Sequence, residues 1–181
     1  INKKKNIFHF FSKSEIDLKY NNFDESRLKF YVEKTNKDTY LKIFESQLLN
    51  NNVKPKDSNI LTSGIDFNLS NENILFETGF TSYEDLNKAQ NDRYQYILPY
   101  YRFDSELFSN ELGRLNLVST GTNILKNTNN LRTRIINNII LSSNEFVSYK
   151  TGLKSNLNLY LKNSNTIAKE DEVYKSSPQS E

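Results

Sequence analysis

Apolar and polar residues alternate with a period of two along most of this chain. Leu28, Phe30 and Val32 alternate with Lys29, Tyr31 and Glu33. Leu61, Ile65, Phe67 and Leu69 alternate with Thr62, Gly64, Asp66 and Asn68. Ile74, Phe76 and Phe80 are interleaved with Glu77, Gly79 and Thr81. Leu131, Ile135, Ile139 and Leu141 stand opposite Arg132, Arg134 and Asn138. Leu153, Leu157, Leu159 and Leu161 stand opposite Lys154, Asn156, Asn158 and Lys162. Successive side chains of a strand point to opposite faces, so each segment carries one apolar and one polar face. This predicts strands at roughly 6–11, 15–21, 26–34, 39–47, 58–70, 73–83, 92–103, 113–124, 130–143 and 151–163. No 3.6-residue stripe persists, and the short helical candidate Tyr83–Gln90 reads better as a loop.

Breaker clusters separate the segments. Thr35-Asn36-Lys37-Asp38 and Ser70-Asn71-Glu72-Asn73 are expected to be tight turns, because Asn and Asp tolerate the left-handed backbone of turns. Longer connections are expected at Glu84–Asp92, Asp104–Glu111 and Leu125–Asn130. Pro99 lies inside Tyr94–Phe103 and cannot donate to a ladder, so a bulge or break is expected there. The fold class expected is all-β: an antiparallel up-and-down meander. Several segments exceed the usual five or six residues of a soluble strand and match the 9–11 or so of a tilted membrane strand. The meander therefore reads as a fragment of a large transmembrane β-barrel occupying residues 1–181.

Composition changes this picture little. Only 36% of the 181 residues are hydrophobic, and mean hydropathy is -0.71. Yet 13% are aromatic, with 11 Tyr and 12 Phe, which is too many for a disordered chain. Barrels that alternate lipid-facing and lumen-facing residues combine both properties. The net charge of +2 is dispersed and demands no nucleic-acid partner; Lys3, Lys4 and Lys5 read as a solvated run. The absence of Met, even at position 1, leads us to expect an internal piece or a processed product.

Catalytic chemistry finds little to work with. There is no Cys, and His9 is the sole histidine, which leaves neither a thiolate nor a zinc ligand set. No Gly-x-Ser-x-Gly elbow accompanies His9. Gly64, Gly79, Gly113, Gly121 and Gly152 form no phosphate loop, and nothing singles out a catalytic pair among Asp38, Glu45, Glu77 and Asp104. Neither an enzyme nor a cofactor is expected.

Several segments resemble one family. Arg27 to Leu41 is similar to a barrel hairpin leading into a "D-x-T/S-Y-L/F" segment, here Lys37-Asp38-Thr39-Tyr40-Leu41. Ser63 to Tyr83 resembles the next strand pair, and Arg93-Tyr94-Gln95-Tyr96-Ile97-Leu98-Pro99 a strand closing on "L-P". Gly113 to Ser143 resembles the succeeding hairpin, and Tyr174 to Glu181 its alphaproteobacterial tail. Together, from about Phe23 onward, they resemble the LptD (OstA/Imp) family of lipopolysaccharide-assembly proteins of the outer membrane. The resemblance implies a translocon wall that delivers lipopolysaccharide to the outer leaflet. It implies an LptE-like lipoprotein plug inside the barrel and an LptA-like periplasmic bridge as partners. Lys29, Glu33, Asp66, Asn68, Glu77, Arg132, Arg134, Asn156 and Asn158 would then line the lumen. The alternative is a soluble or cell-surface β-sandwich or β-solenoid that binds carbohydrate.

Overall fold

The computed structural model describes residues 7–48, 50–127, 129–171, 173 and 178–180. The Lys3–Lys5 run, residue 6 of the first expected strand, and Tyr174–Ser177 and Glu181 of the tail lie outside them. The chain is all-β and forms one open antiparallel meander. Its long strands are β1 (His9–Asp17), β2 (Glu25–Thr35), β3 (Ile60–Ser70), β4 (Ile74–Asp85), β5 (Tyr94–Asn110), β6 (Gly113–Lys126), β7 (Asn130–Ser143) and β10 (Asn158–Lys169). With the three-residue β11 (Pro178–Ser180) they build a nine-stranded sheet in the order β1-β2-β3-β4-β5-β6-β7-β10-β11. Two short strands, β8 (Phe146–Ser148) and β9 (Leu153–Ser155), pair apart from it as a hairpin.

The tight turns follow from their asparagines. Asn71 Oδ1 accepts from the Asn73 and Ile74 amides at 3.0 and 2.8 Å and closes the β3–β4 turn. Asn110 Oδ1 accepts from Leu112 and Gly113 at 2.9 and 3.2 Å and closes β5–β6. Gly113 has φ +152°, a region that L side chains seldom adopt.

Five expectations need correction. Ser12-Lys13-Ser14 does not break the first two segments: β1 runs through it, in register with Val32, Tyr31 and Phe30. Segment 39–47 is not a strand but two short helices, α1 (Tyr40–Ile43) and α2 (Glu45–Leu48). Tyr40, Phe44 and Leu48 recur every four residues, and this stripe outweighs the alternation. Thr35–Asp38 is accordingly not a tight turn between strands but the entry to an insertion spanning 36–59. The connection expected at Asp104–Glu111 is strand as far as Asn110, because Asp104 and Glu106 have a polar face on which to lie. The segment 151–163 divides, with Leu153 in β9 and the main strand running from Asn158 to Lys169.

The insertion holds the only cluster of buried apolar residues among those described. Tyr40, Leu41 and Leu48 pack with Leu61 and Leu86, flanked by Phe11 and Phe44. Tyr40 and Phe44 lie ring to ring at 4.8 Å, and the Tyr40 hydroxyl meets His9 Nδ1. Ion pairs complete the attachment. Arg93 donates to Asp38 at 2.7 Å and to Glu84 at 3.4 Å, and Lys34 donates to Glu84 at 2.8 Å. Hydrogen bonding to Asp38 raises the Arg93 pKa above its ordinary value despite an opposing effect of burial.

Leu61 is 1% exposed, the deepest side chain in this cluster. Leu61→Ala should cost about 2–5 kcal/mol of packing. The loss is expected to free the insertion rather than the sheet. Limited proteolysis should cut within 36–59 faster, while the β-signal in circular dichroism stays unchanged; loss of both together would mean that sheet and insertion fold as one unit.

Candidate functional site: the polar face of the sheet

The register sorts the sheet into two faces. Arg27, Asn68, Glu77 and Arg102 lie in one cross-strand row, and the row continues through Thr120 and Ile136 to Ser164. The adjacent row on the same face runs Glu15, Lys29, Asp66, Gly79 and Tyr100. Opposite charges alternate across these rows, which favours the pairing of neighbouring strands. Arg27 Nε also bonds Glu15 at 2.9 Å.

The other face is apolar and open. Phe10, Ile16, Val32, Ile65, Phe80 and Leu161 all point to it and all are exposed. Its polar members in β5–β7 bond to one another. Ser119 donates to Asn137 at 2.7 Å, Tyr101 meets Ser119 at 3.3 Å, and Thr133 donates to Asn123 at 3.0 Å. Mutual pairing lowers the cost of placing such groups on an apolar surface. Among the described residues no second sheet covers either face of the nine-stranded one.

At the centre of the polar face stands Asp66. Tyr100 donates to Asp66 Oδ1 at 2.8 Å and Tyr31 donates to the same oxygen at 3.3 Å, while the Tyr31 hydroxyl also meets Thr81 at 3.2 Å. Two glycines make room for the rings. A Cβ on Gly64 would come within 2.7 Å of the Tyr31 hydroxyl, and one on Gly79 within 2.8 Å of Tyr100. Tyr31 and Tyr100 therefore lie across backbone that any larger residue would displace. Beside them a hollow is lined by Arg27, Lys29, Asp66, Asn68, Glu77 and Tyr100, among others. Asn68 Oδ1 is buried there without a hydrogen-bond partner.

Lys29, Asp66, Asn68 and Glu77 thus come together in neighbouring positions of β2–β4. Glu33 shares their face but is engaged elsewhere. The β2–β3 ladder ends at Tyr31 and Gly64, and beyond that point Glu33 Oε2 accepts from the Thr62 amide at 2.6 Å, while the Glu33 amide donates to Ser63 Oγ at 3.0 Å. Its carboxylate acts as a clamp between two diverging strands. Arg132, Arg134 and Asn158 also occupy the polar face, but on β7 and β10, across β5 and β6 from the others. Arg132 pairs with Asp171 at 3.9 Å. Asn156 falls between β9 and β10, in no strand.

Tyr31, Tyr100, Thr81 and Arg27 belong to this site although motif reading did not single them out. Alternation places Tyr31 with Lys29 and Glu33, so its face was readable. Its bond to Asp66 depends on cross-strand register, which no single segment encodes. Pro99 explains Tyr100. The register shifts between Ile97 and Tyr100, as the proline led us to expect. Asn123 then donates to the Leu98 carbonyl at 2.7 Å and Thr78 to the Tyr100 carbonyl at 2.8 Å.

No protein-family model, no curated protein and no solved structure matches this chain.

Removing the shared acceptor should be costlier than removing either donor. Asp66→Ala strands two tyrosine hydroxyls and is expected to lower unfolding free energy by about 1–3 kcal/mol, against about 0.5–1.5 kcal/mol for Tyr100→Phe. Chemical denaturation of the protein in detergent measures both. Equal effects would mean that the tyrosines hold the strands by ring packing on Gly64 and Gly79 rather than through Asp66.

Proposed function

We propose that this chain is a section of the wall of an outer-membrane β-barrel, and that the barrel is a lipopolysaccharide-assembly translocon of the LptD kind. One observation carries the wall reading. A single sheet presents an uncovered apolar face on one side and a charged, hydrogen-bonding face on the other. Contiguous exposed apolar surface of this extent marks contact with a membrane or a partner. In lipid, sheet persists only where its backbone groups are paired, which a barrel wall achieves strand by strand. The strands are long enough to cross: β1 has 9 residues, β2 and β3 have 11, β4 and β10 have 12, β6 and β7 have 14, and β5 has 17, against the 9–11 or so that a tilted membrane strand needs. A sandwich or solenoid would need a second layer over the apolar face.

On this reading the apolar face meets acyl chains and the polar face meets a water-filled lumen. Lys29, Asp66, Asn68, Glu77, Arg132, Arg134 and Asn158 would line that lumen beside an LptE-like plug. They would offer hydrogen bonds to the sugar portion of lipopolysaccharide delivered through an LptA-like bridge. The part played is that of a conduit rather than a catalyst. The lipopolysaccharide assignment rests on the resemblance of Arg27–Leu41, Ser63–Tyr83, Arg93–Pro99 and Gly113–Ser143 to that family.

Charge placed on the two faces separates wall from soluble module. Phe80→Arg, on the apolar face, should cost about 2–4 kcal/mol of stability in a bilayer, whereas Thr120→Arg on the polar face should cost little. A soluble, cooperative, monomeric β-protein in plain buffer, seen by circular dichroism and sedimentation, would sink the wall reading. The translocon has its own test. Depleting the full-length parent protein should leave newly made lipopolysaccharide inaccessible to surface-specific labels; normal surface display would remove the translocon assignment and leave the wall intact.

A further inference from the structure

A meander has two rims, and its connections fall on them alternately. One rim carries the connections β2–β3 (36–59), β4–β5 (86–93) and β6–β7, and the end of β10; the other carries 18–24, 71–73, 111–112 and 144–157. The two differ in kind. Two of the three shortest connections, 71–73 and 111–112, share the second rim, and each is closed by one asparagine side chain, Asn71 or Asn110; the third, β6–β7, is on the first. The longest connection, 36–59, lies on the first. It is folded, with α1, α2 and the Tyr40–Leu41–Leu48 cluster, and it is fastened to the neighbouring 86–93 connection by Arg93–Asp38 and by Lys42 donating to Asn87 at 3.2 Å. Two connections depart from the length rule: β6–β7, which is short on the first rim, and 144–157, which is largely taken up by the β8–β9 hairpin, closed on itself by its own ladder.

We infer that the rim bearing the 36–59 insertion and the 86–93 connection faces the cell exterior, and that the rim with the Asn71 and Asn110 turns faces the periplasm. Outer-membrane barrels keep short turns on the periplasmic side and longer loops outside. The inference rests on the wall reading and deepens it by assigning a direction to each strand. β2, β4, β6 and β10 then run outward along the chain, and β1, β3, β5 and β7 run inward. The α1–α2 insertion becomes a fixed cap on the outer surface, where Arg93, Asp38, Glu84 and Lys34 tie it to the ends of β2 and β4.

This section contributes no cysteine of its own, so label at each introduced thiol is read against the full-length protein without it as background. We would introduce Lys56→Cys and Gln90→Cys on the first rim, and Glu72→Cys, Glu111→Cys and Lys150→Cys on the second. All five positions are exposed and lie outside the long strands. In the full-length protein, expressed in a Gram-negative host, intact cells are treated with a membrane-impermeant maleimide before and after outer-membrane permeabilisation. The expected result is labelling of Lys56→Cys and Gln90→Cys on intact cells, with the other three gaining label only after permeabilisation. The reverse pattern would overturn the direction while leaving the wall in place. Both rims labelled on intact cells, or both protected, would place them on one side of the membrane and overturn the wall reading along with the direction.

Discussion

The backbone ladder is the constraint on which everything else here depends. Among the described residues no layer lies over the apolar face, so the sheet draws little stability from a core, and the one buried apolar cluster they form holds the insertion. Each seam must therefore be held by paired N–H and C=O groups. At two of the described places where the ladder opens or shifts, side chains substitute for the missing partner. Where β2 and β3 diverge, Glu33 takes the Thr62 amide. Where Pro99 shifts the β5 register, Asn123 and Thr78 take the Leu98 and Tyr100 carbonyls. These residues read as surface polar groups in the sequence, yet in the structure they repair the backbone.

The two faces follow from that ladder. Once register is set, alternation collects Arg27, Lys29, Asp66, Asn68 and Glu77 on one side and Leu28, Phe30, Ile65, Phe67 and Phe76 on the other. The polar side is ordered internally by Asp66 and the two tyrosines, with Gly64 and Gly79 giving their rings a floor. The apolar side pairs its few polar members with one another. Such segregation suits a sheet that separates lipid from water, and the proposed barrel wall is the simplest assembly with that property.

Much of this was legible in the sequence. Period two revealed the strands and their faces because each side chain reports its own orientation. The faces of Lys29, Asp66 and Arg132 were readable in this way. What eluded reading depends on contacts between segments. The helices at Tyr40–Leu48 have the apolar content of a strand, and their Tyr40–Phe44–Leu48 stripe is too short to decide until it packs on Leu61 and Leu86. Glu33 looked like one more polar-face residue because its partner, Thr62, lies beyond an insertion of unguessable shape. The strand through Asp104–Asn110 was hidden by polar residues that become favourable once β6 lies alongside.

Every long strand pairs with the next long strand in sequence, with the β8–β9 hairpin set aside between β7 and β10. Contact order is therefore low apart from the 36–59 detour, and hairpins can join one after another without waiting for the far end of the chain. Such an architecture also has a modular history open to it. In the proposed barrel, gaining or losing one hairpin would change the circumference by two strands and leave the inside, the outside and the direction of every remaining strand as they were.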